Sequence, residues 1–168
     1  SMNFPDFRTH ERSFQLMLQV SGRAGRKSKR GKVIIQTYAP GHAIIQHVIN
    51  GDFIKMYDEE IEHRKNFQYP PFYRLIELTV TDRDVHKVNA FADEFGNELK
   101  KVFGSRVLGP EFPLVPRIKN VYRKKLVLKI AKEESPNKSK DKIHSLIIEL
   151  QKAPAFKYVK VQADVDPM

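Results

Sequence analysis

Apolar residues recur along this chain in two periods, and the switch between them lays out the expected elements. Residues 11–21, ERSFQLMLQVS, put Phe14, Met17 and Leu18 on one helical face, and Gly22 closes the segment. The run 31–38, GKVIIQTY, is short, β-branched and bounded by Gly31 and Pro40, so it reads as a buried strand. Residues 43–50, AIIQHVIN, return to the helical period and break at Gly51. The stretch 52–67 opens at Asp52, a natural N-cap, and carries Ile54, Tyr57 and Ile61 on one stripe. Tyr69 to Phe72, YPPF, then interrupts the pattern: two prolines remove two backbone donors and cannot continue a helix, which places a domain boundary there.

A regular series follows. Residues 73–82 alternate as a strand, and 84–103 repeat Val88, Phe91, Phe95, Leu99 and Val102 at helical spacing. RVLGP is a short strand, and 121–131 is a strand with Leu126, Leu128 and Ile130 on one face. KEESPNKSKDK, 132–142, reads as a linker, and 140–151 is a helix through Ile143, Leu146, Ile147 and Leu150. Val159, Val161, Ala163 and Val165 alternate in a last strand. The order β-α-β-β-α-β predicts an α+β, ferredoxin-like domain with two helices on one face of a four-stranded sheet. Phe91, Phe95 and Phe112 are expected in its core.

Charge sharpens this picture. The chain carries a net +10 and a pI near 9.7, a balance that suits a polyanion, either nucleic acid or an acidic membrane face. No apolar run approaches the ~18 residues of a membrane span, and no signal peptide precedes the first motif. The absence of cysteine excludes disulfides and thiolate metal sites within these 168 residues. His42 and His47 are off helical ligand spacing, so no metal site is expected. DEEIEH, 58–63, is expected to be solvated charge.

Two stretches, 23–32 and 117–129, are purely basic. In the first, Gln19, Arg23 and Arg26 lie at i, i+4 and i+7. A helix persisting through Gly22 and Gly25 would set an amide and two guanidiniums on one face, a grip for a nucleotide triphosphate. The alternative is a helix C-cap whose arginines sit in solvent near the favourable end of the dipole. In the second, Arg117, Lys119, Arg123 and Lys125 are expected to form a ridge along a DNA backbone, with Tyr122 stacking on an unpaired base. The alternative is an edge strand kept soluble by lysines.

QVSGRAGR resembles the last conserved motif of superfamily 2 helicases, Gln-x-x-Gly-Arg-x-x-Arg. The longer run DFRTHERSFQLMLQVSGRAGR…GKVIIQTYAPGHAII, then YPPF, RIKNVYRKKLVLKI and the terminal DVDP, is similar to the PriA family of bacterial replication-restart helicases. The resemblance implies the helix–strand–helix end of a second helicase lobe over 3–50, a helical linker over 51–70, and a DNA-binding domain over 71–168. It implies that Gln19, Gly22, Arg23 and Arg26 contact ATP, with Arg26 as the arginine finger. ATP and magnesium would belong to the whole ATP-dependent 3′-to-5′ helicase, zinc to cysteines outside this chain, and no cofactor to the fragment alone, which should not hydrolyse ATP. The implied partners are forked and single-stranded DNA, the tail of single-stranded-DNA-binding protein and other primosome proteins, in the cytoplasm and away from membranes. Asn120 stands where the family most often has glycine; asparagine tolerates positive φ, so the turn survives. A stand-alone RNA-binding ferredoxin-like domain of ribosomal-protein type, or a protein-docking module, remains the alternative.

Overall fold

The computed structural model describes residues 7–24 and 31–167. They fall into two compact units, the first ending at Phe67 and the second starting at Gln68.

In the first unit, α1 (Thr9–Ser21), α2 (Ala43–Asn50) and α3 (Phe53–Asn66) bring Phe14, Ile44, Val48 and Met56 into a small core. Gly51 takes φ 66°, a left-handed conformation that lets α2 end and reverse, and the Asp52 carboxylate accepts the Lys55 N–H at 3.0 Å to start α3. The buried side of α3 is not the expected stripe. Met56 points into the core while Ile54 and Tyr57 are exposed. Periodicity marks a stripe, but the exit angle set by Gly51 and the Asp52 cap decides which side meets α1 and α2.

The DEEIEH segment is likewise more than solvated charge. Glu60 and Arg64 are both nearly buried and pair at 3.0 Å; Arg64 also reaches Glu11 at 2.9 Å and lies over the Phe7 ring. Glu59 bonds His47 across the α2–α3 pair at 2.9 Å. Where the sequence suggests a linker helix, α3 thus shares both core and ion pairs with its neighbours.

Residues 31–38 correct the expected buried strand. They form no strand; Ile34 is 80% exposed, and only Ile35 packs against the Phe14 cluster. A strand needs a neighbour to take up its N–H and C=O groups, and no strand lies among the described residues of this unit.

The second unit runs β1 (Tyr73–Asp82), α4 (Val85–Phe103), a 3₁₀ turn, β2 (Val107–Glu111), β3 (Arg117–Ile118), β4 (Val121–Ala131), α5 (Pro136–Gln151) and β5 (Lys160–Val165). It is an α+β unit whose sheet has the order β2-β4-β1-β5, with β3 pairing β4 as a side hairpin. The pairings in the sheet are antiparallel. Ile76, Leu78 and Val80 of β1 and Leu126, Leu128 and Ile130 of β4 share one core with Phe91, Phe95 and Leu99 of α4 and Ile143 and Leu150 of α5. That register leaves Arg123, Lys125, Val127 and Lys129 on the opposite face.

Two expectations are corrected in this unit. The 132–142 stretch is only half linker, because α5 already starts at Pro136, which occupies its first turn, and Ser139 is buried. Phe112 is half exposed on the loop after β2 rather than in the core.

Candidate nucleic-acid interface

The hairpin between β3 and β4 is closed by two residues, Lys119 at φ 47° and Asn120 at φ 62°. Two successive positive φ values are what a type I′ turn demands, and they suit the right-handed twist of the flanking strands. Asparagine tolerates that conformation, as expected; lysine does so less readily, so Lys119 is carried at the tip at some cost. Asn120 Oδ1 accepts a bond from Arg117 Nη2 at 2.7 Å. The Arg117 guanidinium also lies 5.0 Å from the ring centroid of Tyr122, its cross-strand partner. Arg117 and Lys119 are exposed, whereas Tyr122 is half-buried and packs on the core.

The five residues singled out in the sequence do not share one ridge. Strand alternation puts Arg117 and Tyr122 on the helix-facing side of the sheet, Arg123 and Lys125 on the other, and Lys119 at the tip. Arg123 is engaged with the chain itself: its N–H donates to Pro116 O at 2.9 Å and its Nη2 to Val115 O at 2.8 Å. Lys125 Nζ lies 2.6 Å from Glu77 Oε1, with both side chains about four-fifths buried, and Glu111 of β2 is in register with Lys125. The open face therefore carries mixed charge, and a phosphate reaching Lys125 must compete with Glu77. On the helix-facing side, Lys124 is held by Asp93 of α4 at 2.9 Å.

Sequence reasoning missed Tyr69 and Lys129. Lys129 is only 8% exposed, and its Nζ lies 4.3 Å from the Tyr69 ring centroid. Burial pushes the lysine pKa down and the tyrosine pKa up. A lysine alternating with apolar residues in a strand was the available signal, but it does not say that an aromatic ring lies above it.

In the first unit, α1 ends at Ser21, and the chain tightens into bonds from Arg23 N–H to Val20 O and from Ala24 N–H to Ser21 O. Gly22 stays right-handed, with its N–H on Leu18 O at 2.8 Å, so the helical path continues past the helix as far as Ala24. Gln19, Gly22 and Arg23 are exposed; Arg26 lies outside the described residues. An exposed amide and guanidinium fit a phosphate group. The groove beside α1, lined by Met17, Ile35 and Ile44 among others, includes neither Gln19 nor Arg23. Among the described residues no group of His, Asp and Glu is placed to hold a metal ion, and no helix is long and apolar enough to cross a membrane.

The family model described as the primosomal protein N C-terminal domain matches residues 65–168. Replication restart protein PriA of Bacillus subtilis is 37% identical over 169 aligned positions, covering 99% of this chain and 21% of that protein. The protein of the same name from Treponema pallidum is 34% identical, covering 99% of this chain and 25% of its own length. That from Chlamydia trachomatis is 51% identical over a shorter match, 43% of this chain and 10% of its own length. The chain thus spans about a fifth of the length of the first of these relatives.

Proposed function

This chain belongs to the primosomal protein N C-terminal domain family, and from that premise we propose that it is the C-terminal part of an ATP-dependent 3′-to-5′ DNA helicase of replication restart, whose second unit binds branched or single-stranded DNA by its backbone. The observation that carries the reading is the β3–β4 hairpin. It presents Lys119 on a two-residue turn and Arg117 on the strand leading into it, both exposed, in a stretch with no acidic residue from Phe112 to Ala131. Arginine and lysine on a turn contact phosphates; no recognition helix or Asn/Gln array accompanies them to read base edges. The ferredoxin-like reading of this unit rests on its β-α-β-β-α-β order, once the β3 side hairpin is set aside, and on β1 and β2 flanking β4, as in a split βαβ arrangement.

Gln19, Gly22 and Arg23, with Arg26 beyond the described residues, serve as half of an ATP site. Arg26 is the arginine finger toward the γ-phosphate. The phosphate loop, magnesium ligands and zinc cysteines belong to other parts of the whole enzyme, as do its primosome partners. The tail of single-stranded-DNA-binding protein, being acidic, suits the basic surface, and the setting is cytoplasmic.

The test is binding of this chain to forked and blunt DNA across a salt series. Backbone contact makes log affinity fall linearly with log salt, by about 0.9 per contacted phosphate on duplex. Affinity for both substrates with that dependence is the expected result. No measurable affinity at low salt would favour a protein-docking module, and a preference for structured RNA over forked DNA would favour the ribosomal-protein-like alternative.

A further inference from the structure

The segment from Phe112 to Pro116, between β2 and β3, turns apolar side chains outward where a surface loop ordinarily carries polar ones. Leu114 is 91% exposed and Val115 about half exposed. The loop is not slack. Pro113 and Pro116 fix φ at two of its positions. Arg123 clamps it, the backbone N–H holding Pro116 O and the guanidinium holding Val115 O. An apolar tip held out on a braced loop has a defined position in which to meet something.

The surroundings identify the partner. Arg117 follows the loop directly and Lys119 sits two residues further on, at the β3–β4 turn, both exposed within the stretch that has no acidic residue. Cations beside an apolar tip complement a nucleic acid whose phosphates lie next to an open base-pair face. A continuous duplex has no such face; a branch or an end does. Apolar side chains that abut or part a base step while basic residues hold the adjacent phosphates are a recurrent arrangement in DNA-bending proteins.

We propose that Leu114 and Val115 form an apolar wedge that seats against the exposed face of the terminal base pair at a DNA branch, with Arg117 and Lys119 holding the phosphates beside it. The proposal rests on the reading of this unit as a DNA binder. It assigns the preference for branches to the loop and the bulk of the affinity to the cations.

The experiment uses this chain with a fork carrying 2-aminopurine in the base pair at the branch, and a covalently closed circular duplex, which has no end, carrying it internally. Binding is expected to raise the fluorescence of the branch probe and leave that of the internal one unchanged. The variant Leu114→Ser with Val115→Ser alters exposed side chains only. It should keep the salt slope, lose the fluorescence rise, and reduce the fork-over-duplex preference on the order of tenfold. Wild-type binding to the fork without a fluorescence rise overturns the wedge and leaves DNA binding standing, the apolar tip then being a protein contact. A variant that keeps both the rise and the preference also overturns it. If no DNA binds at any salt, the reading of the whole unit fails with it.

Discussion

The Lys129 ammonium lies 4.3 Å from the centre of the Tyr69 ring, in a position where the lysine is almost wholly buried. The contact ties the YPPF turn to the C-terminal end of the longest strand of the sheet. It also places a charge where water reaches it poorly, which is why the lysine pKa falls.

The pair makes stability depend on pH in a directed way. With its folded pKa below 10.5, Lys129 sheds its proton in the native state before it does so in the unfolded chain. Its contribution therefore rises with pH between the lowered value and 10.5. Tyr69, raised above 10.0, keeps its proton longer when folded, so its contribution falls as pH passes 10.0. In urea titrations from pH 7 upward, Lys129→Met should remove the first rise, so any advantage of the variant over wild type shrinks as pH approaches 10. Tyr69→Ala should cost about 3 kcal/mol, through the lost ring and the ammonium left uncovered. Parallel pH profiles for wild type and Lys129→Met would contradict the assignment.

Glu77 pairs with Lys125, and a phosphate reaching that ammonium has to displace the carboxylate. Glu77→Gln should therefore tighten binding to every DNA alike and steepen the log–log salt slope by about 0.9, the increment of one further phosphate neutralised. Lys125→Ala alone should do little to the slope. Arg123→Ala should lower stability, because that side chain braces the loop at Val115. An unchanged slope in Glu77→Gln would remove Lys125 from the DNA path.

Lys119 combines a strained backbone with an exposed charge, and the two separate on substitution. Lys119→Gly should stabilise the hairpin by about 0.5–1 kcal/mol, since glycine adopts positive φ freely. The same change should reduce the salt slope by about 0.9. Thermal unfolding and anisotropy titrations on one preparation check both. Greater stability with an unaltered slope would mean that Lys119 touches no phosphate.

The chain by itself should release no phosphate from ATP, with or without DNA, because Gln19, Arg23 and Arg26 supply only one side of a nucleotide site. In the whole helicase, Arg26→Ala should cut ATP turnover by ~10³ or more while DNA affinity stays nearly constant. Turnover by the isolated chain, or an unaffected Arg26→Ala enzyme, would each contradict the assignment.

Local chemistry sufficed for the main elements of the second unit, though not for β3 or the first turn of α5, because alternation and helical spacing are imposed by the burial of one face. Leu126, Leu128 and Ile130 announce a strand, and Phe91, Phe95 and Leu99 a helix, wherever the chain goes afterwards. Asn120 likewise announced its turn. Tertiary structure decided which cations are at liberty. Glu77 is 48 residues from Lys125 in the chain, and only the β1–β4 register brings them to 2.6 Å. Tyr69 and Lys129 meet because the turn that carries Tyr69 leads into β1 beside the C-terminal end of β4. Residues 31–38 mark the opposite limit: their β-branched run satisfies the local requirements of a strand, but a strand exists only where a neighbour receives its hydrogen bonds, and composition does not encode that neighbour.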